Sequence, residues 1–163
     1  MKTHKTRVAL LVGGPSSEHE VSINSGKVVH THLDRNRYEV TPILISRQGE
    51  WPVDPEHIAK VSDVAFIAMH GEYGEDGQIQ EVLRDVRLPY TGSDVMASSL
   101  AMNKVLANRT FRANGLNVPK SNVVDLRNFA DLDYSKYELP VVVKPADRGS
   151  SVGVSVVRRS GDI

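Results

Sequence analysis

The sequence contains no cysteine. That excludes disulfides, thiolate catalysis and cysteine-based zinc sites, and it is compatible with a reducing cytoplasm. Net charge is missing as well, because 20 Lys and Arg are matched by 20 Asp and Glu. No large field is therefore available to attract nucleic acid or an anionic membrane. Basic residues gather only at Lys2–Arg7 and Arg158–Arg159, where solvated chain ends explain them. Long apolar runs are also lacking. The longest, Val64–Met69, is far short of the ~18 residues a membrane helix needs. Val8–Val12 is shorter than a signal-peptide core of about 7–15 residues. These absences predict a soluble cytoplasmic protein that binds neither nucleic acid nor membrane.

What is present is ordinary globular composition. The chain has 163 residues, 40% of them hydrophobic and 25% charged, which argues against disorder and gives enough chain for a core. Val8–Val12 is apolar without alternation and ends at Gly13-Gly14, the pattern of a strand buried on both faces of a parallel sheet. Ser16, Ser17, Glu18 and Glu20 then signal a helix start. Val21, Ser25, Val28, Val29 and His32 fall on one face of that helix. Val40–Ile45 and Val64–Ala68 read as further strands, with a short helix at Pro55–Val61 and another at Gln78–Val86. Pro89–Gly92 reads as a short strand and turn. This alternation predicts a parallel α/β sheet. Ser98 and Ser99 cap a predicted helix that runs to Asn114 and stops at Gly115, its apolar face being Met102, Val105, Leu106 and Ala113. Beyond Pro119, Ser121–Asp125, Val141–Pro145 and Val152–Val157 read as strands. A polar insert at Asn128–Tyr137 and the tail Ser160–Ile163 are expected to be mobile. The expected domains are 1–97 and 98–163.

Three loops carry chemistry, each at the carboxyl end of a predicted strand, the edge where open α/β sheets bind ligands. The first is Gly13–Glu20. Its glycines permit a tight strand-to-helix turn onto a helix N-terminus, but it is neither a Walker loop nor a complete dinucleotide fingerprint. Glu18 and Glu20 are explained either as first-turn helix acids or as a carboxylate facing the cleft to hold a cation. The second, His70–Gly77, combines one histidine with Gly71, Gly74, Gly77, Glu72, Glu75 and Asp76. A lone histidine at a strand end is commonly structural, but glycines at this density allow close approach of a ligand. The third, Lys144–Val154, places a lysine before Gly149, Ser150, Ser151 and Gly153. Such backbone N–H groups and hydroxyls cradle phosphate, although a glycine-serine hairpin turn explains the same residues.

Together, four ordered segments resemble the D-alanine–D-alanine ligases, ATP-grasp enzymes of peptidoglycan synthesis. They are Gly13–Ser22, His70–Gln80, Leu88–Ser93 with Met102-Asn103-Lys104, and Val143-Lys144-Pro145 through Gly149–Gly153. The resemblance implies an N-terminal Rossmann-like parallel-sheet domain followed by the incomplete start of an ATP-grasp domain. It implies that ATP phosphorylates one D-alanine carboxylate and that the amine of a second D-alanine displaces phosphate, chemistry that depends on positioning and charge neutralisation. It implies that Glu18 pairs with the ammonium of the first D-alanine, that His70 lies beside that substrate, and that Ser22 supports the substrate site. Lys104, Lys144, Gly149, Ser150 and Ser151 would bind ATP, with Ser150 also linking the substrate side to the loop over the phosphates and acting with Glu18 in catalysis. A homodimer through the N-terminal domain is implied as well.

Two residues depart from the family pattern: Asn103 stands where Asp is usual, and Glu81 where a small residue is usual. Family members continue past Ile163. The adenine hinge and the ligands for Mg2+ or Mn2+ are expected there, as is the basis of second-substrate choice among D-alanine, D-lactate and D-serine. The chain thus reads as a fragment that is inactive alone. Another ATP-grasp carboxylate–amine ligase and a non-catalytic D-alanine-binding or assembly module are the competing readings.

Overall fold

The structure, a computed structural model, describes residues 4–125, 127, 137–149 and 152–159. The chain forms two compact units that divide between Met102 and Asn103.

The first unit is a three-stranded parallel sheet in the order β2-β1-β3, with β1 at Thr6–Gly13, β2 at Tyr38–Ile45 and β3 at Val64–Ile67. Thr6–Gly13 pairs in register with Tyr38–Ile45, and Val8–Leu11 with Val64–Ile67. The unbroken apolar run in β1 follows from burial on both faces. Ala9 and Leu11 enter one core with Ile43, Ile45, Ala65, Met69 and the helical residues Ile58, Ile79 and Leu83. Val8, Leu10 and Val12 enter a second core with Val40 and Ala68, against which Val29 and Leu33 pack. The helix α1 (His19–His32) therefore covers one face, and α2 (Pro55–Val61) and α3 (Gln78–Asp85) the other. β2 carries Pro42, which is tolerated because this strand pairs on one side only. The Pro89–Gly92 segment makes a single parallel bridge, Ala65 to Tyr90.

The face of α1 differs from expectation. Val21 and Val28 are exposed, at 51% and 59%, and the buried residues are His19, Ser22 and Gly26. The reason is close approach: a β-carbon on Gly26 would stand 2.2 Å from Val12 Cγ1. At Gly26 the helix lies too near β1 for any β-carbon; Val29 still packs on the core, while Val21 and Val28 turn to solvent.

The long helix expected from Ser98 to Asn114 is two helices, α4 at Val95–Met102 and α5 at Lys104–Ala113. The break lies at Asn103, whose φ of −82° and ψ of 103° are extended and whose side chain accepts from the N–H groups of Val105 and Leu106, both at 3.1 Å. Asn103 is an N-cap, a role Asp fills equally. α4 starts earlier than expected, with the Asp94 carboxylate accepting from Ala97 N–H at 2.8 Å.

The second unit contains α5 and an antiparallel pair, β4 (Val141–Val143) and β5 (Ser155–Val157). Both strands are shorter than expected, and Ser121–Asp125 forms no strand. These residues are exposed and, among the described residues, have no partner strand, so their apolar composition alone does not make a ladder. Asn128–Lys136 and Ser160–Ile163 lie outside the described residues. Among the described residues no helix is long and apolar enough to cross a membrane.

At the start of β1, Arg7 and Asp63 clamp the sheet. The Arg7 N–H donates to Asp63 Oδ2 at 2.7 Å, its guanidinium donates to Oδ1 at 2.6 Å, and Asp63 N–H donates to Arg7 C=O at 2.8 Å. The Arg7 side chain, then its backbone N–H, hold the Asp63 carboxyl down to about 2. A lowered acid stabilises the fold above the ordinary carboxyl range of about 3.9 and stops doing so as pH falls through about 2. Carbon-detected NMR titration will find the Asp63 carboxyl near 2 in the native protein, and Arg7→Gln will return it toward the ordinary value. Asn103→Ala will cost about 0.5–2 kcal/mol of local stability and speed hydrogen exchange at Val105 and Leu106, whereas Asn103→Asp will preserve both.

Candidate functional site

β1 is followed by a helix leading to β2 on one side, while β3 lies on its other side. The loops after β1 and β3 therefore flank a point where the winding reverses, the place where open α/β sheets bind ligands. The first loop turns at Gly13 and Gly14, with φ of 85° and 93°. At Gly13 a β-carbon would stand 2.4 Å from the carbonyl oxygen of Ile45, so glycine is required there by backbone as well as by torsion.

Serines join the two loops. The Ser16 hydroxyl donates to His70 C=O at 2.7 Å and accepts from Glu18 N–H at 3.1 Å. The Ser22 hydroxyl donates to Glu18 C=O at 3.1 Å and accepts from His70 N–H at 3.0 Å. Both backbone groups of His70 are thus held by the β1–α1 segment, and each hydroxyl serves as donor once and acceptor once. Ser22 is completely buried, so it supports the site from beneath. Ser25 Oγ lies 2.8 Å from His70 Nε2. His19, also buried, uses Nδ1 against Gly14 C=O at 2.7 Å and so braces the glycine turn.

The two acids of the first loop separate clearly. Glu20 is paired at the surface with Arg47 at 2.6 Å. Glu18 occupies the N-cap position of α1 without making a side-chain capping bond. Its Oε2 sits beside the α-carbon of Gly71, where a β-carbon would stand 2.8 Å away. Gly71, with φ of 73°, gives the carboxylate its room.

The second loop is built by its own acids. Glu75 Oε2 accepts from Gly71 N–H at 2.9 Å, and Glu75 Oε1 lies 3.8 Å from His70 Nδ1. The Asp76 carboxylate accepts from Tyr73 N–H at 2.9 Å and from Gln78 N–H at 3.0 Å, closing the turn into α3. Tyr73 has a φ of 70°, and its hydroxyl accepts from Trp51 Nε1 at 2.9 Å. Glu18, Ser22 and His70 are thus brought together in the first unit.

In the second unit, Lys104 opens α5. Its N–H donates to Ala146 C=O at 2.8 Å and its ammonium to Arg148 C=O. Lys144, exposed, follows β4 directly. Val152 N–H donates to Gly149 C=O at 3.1 Å, closing the loop, and Gly153 turns with φ of 68° against Pro145. Lys104, Lys144 and Gly149 therefore belong to one loop neighbourhood. Ser150 and Ser151 lie outside the described residues.

Models of the families described as D-ala D-ala ligase N-terminus and D-ala D-ala ligase C-terminus match residues 7–62 and 53–93, and residues 110–163, respectively. The chain belongs to the D-alanine–D-alanine ligase family. A D-alanine–D-alanine ligase of Geotalea uraniireducens is 44% identical over 162 residues, covering 99% of this chain and 50% of that protein. The solved D-alanine–D-alanine ligase of Bacillus anthracis superposes with a TM-score of 0.76 at 36% identity, covering 96% of this chain and 51% of its own. The same ligase complexed with ATP gives 0.73 at 34% identity, covering 96% and 52%. A D-Ala:D-Ser ligase of Enterococcus faecalis gives 0.80 at 26%, covering 98% and 57%. The chain spans about half the length of the curated relatives it matches.

Lys104 and Lys144, beside the loop that follows β4, suit a polyphosphate, because a lysine ammonium is a point charge for phosphate oxygens. A metal is a different matter. Among the described residues no group of three or more His, Asp or Glu side chains could hold one.

Sequence reasoning placed the ligase loops but missed Ser16, Ser25 and Glu75 as the groups that set His70. The spacing of Ser22 and Ser25 at i and i+3, on one helix face after the glycine turn, was the available signal. Ser22→Ala leaves His70 N–H without its acceptor, and urea unfolding will register a loss of about 1–3 kcal/mol.

Proposed function

We propose that this chain supplies the D-alanine-binding domain and the phosphate-gripping start of an enzyme that ligates two D-alanines in an ATP-dependent reaction of peptidoglycan synthesis. The observation that carries the reading is the Glu18 carboxylate, uncommitted to capping, set over Gly71 in the loop headed by His70. A carboxylate in that position suits the ammonium of the first D-alanine. His70, its backbone held on both sides and its side chain 34% exposed, suits a donor to an oxygen of the same substrate. Ser22 acts from below by holding both residues.

ATP, when bound, supplies the phosphoryl group that activates a D-alanine carboxylate. Lys104 and Lys144 would neutralise phosphate oxygens as point charges, with Gly149, Ser150 and Ser151 offering N–H and hydroxyl donors. Ser150 keeps its proposed second role of linking the substrate side to that loop. The Bacillus anthracis relative complexed with ATP supports a nucleotide here. Mg2+ or Mn2+ belongs to this reading through the family likeness. The described residues provide no ligand group for it. A functional divide near residues 97 and 98, a homodimer through the N-terminal domain and a cytoplasmic location are parts of the same proposal.

Titrating D-alanine into the 15N-labelled protein will shift the amides of Glu18, His70 and Gly71, and L-alanine will not reproduce the response. Glu18→Gln will weaken D-alanine binding about 10–100-fold, the value of a charged hydrogen bond of about 1.5–3 kcal/mol. Unchanged affinity in that variant would overturn the assignment of Glu18. No amide response to D-alanine at Glu18, His70 and Gly71, together with none to ATP at Lys104, Lys144 and Gly149, would overturn the reading as a whole.

A further inference from the structure

The His70 ring has a neighbour on each nitrogen. Ser25 Oγ is 2.8 Å from Nε2, within hydrogen-bond distance. Glu75 Oε1 is 3.8 Å from Nδ1, too far for a hydrogen bond but close enough for its charge to act. Glu75 is not free to move away, because Gly71 N–H holds its other oxygen at 2.9 Å. A neutral imidazole carries one N–H, and the partner of one nitrogen decides which nitrogen bears it. A bare lone pair on Nδ1 facing a fixed carboxylate is repelled, whereas an N–H there is attracted. A serine hydroxyl can donate or accept, and at 2.8 Å it can donate to the Nε2 lone pair that the Nδ1–H form presents. The two neighbours together therefore select one tautomer, although free imidazole prefers the other.

We propose that Ser25 is a positioning residue: its hydroxyl donates to His70 Nε2, holds the neutral ring in its Nδ1–H form, and so leaves that N–H to meet a carboxylate oxygen of bound D-alanine. The role toward D-alanine rests on the function proposed above; the tautomer does not. The 3.8 Å separation from Glu75 matters here. Glu75 biases the proton to Nδ1 without consuming it in a hydrogen bond, so the donor remains available to a ligand. Ser25 belongs to the same segment as Ser16 and Ser22, which hold the His70 backbone. One helix start thus sets the position of the residue, and its next turn sets the ring.

Long-range 15N–1H correlation at about pH 8.5, above the usual imidazole range, reads the tautomer directly. The wild-type protein is expected as Nδ1–H. Ser25→Ala is expected to shift the ring toward Nε2–H and to weaken D-alanine binding about 3–10-fold, equivalent to a net hydrogen bond of about 0.5–1.5 kcal/mol. Ser25→Thr, which keeps the hydroxyl, restores both. A wild-type ring in the Nε2–H form overturns the proposal without any variant, and so does an unchanged tautomer in Ser25→Ala. An Nδ1–H ring that responds to Ser25→Ala in a protein that does not bind D-alanine supports the tautomer assignment and overturns the proposed function.

Discussion

The pairing of β1 with β3 over Val8–Leu11 and Val64–Ile67 is the constraint on which the rest depends. Parallel register makes both strands end at the same edge, so the loops that follow them must meet. Everything chemically distinctive in the first unit follows from that meeting. Ser16 and Ser22 can reach the His70 backbone, and the Glu18 carboxylate can lie over Gly71, only because the two strand ends are neighbours. Slipping a parallel strand by one residue would exchange its two faces. Val8 and Leu10 would then trade cores with Ala9 and Leu11, and two cores of different shape resist that exchange.

The same edge explains why polar residues are buried beneath α1. At Gly26 the helix comes too close to β1 for any β-carbon, and Val29 packs on the core only a turn further along. Serine is small enough to fit and brings a hydroxyl that satisfies buried backbone groups of both loops. Close packing and polar satisfaction therefore have one solution in Ser22, which is completely buried and yet fully hydrogen-bonded.

Legibility in the sequence follows these physical demands. β1 was readable because burial on both faces removes all polar alternation. The loops were readable because glycines, acids and a histidine at that density have few structural uses. The α1 face was misread because amphipathic reasoning looks for large apolar residues, whereas this helix buries His19, Ser22 and Gly26. The α4–α5 break was missed because Asn103 sits in an otherwise helical apolar pattern, and an N-cap is recognisable only when the chain before it is known to turn. The ring partners of His70 were invisible for a third reason. A serine in a helix carries no mark of which distant nitrogen its hydroxyl faces.

The hydrogen bond from Trp51 to Tyr73 gives the fold a property unrelated to its chemistry. Trp51 is the sole tryptophan in the chain, and its indole N–H is tied to a residue in the middle of the His70–Gly77 loop. Tyr73 sits in a left-handed backbone conformation with φ of 70°, so any rearrangement of the loop that relaxes that torsion also moves its hydroxyl. The indole's hydrogen-bond state and polarity of surroundings are thereby coupled to the loop's conformation. The molecule carries a built-in optical probe, spectrally unmixed with any other indole, placed where the two strand-end loops meet.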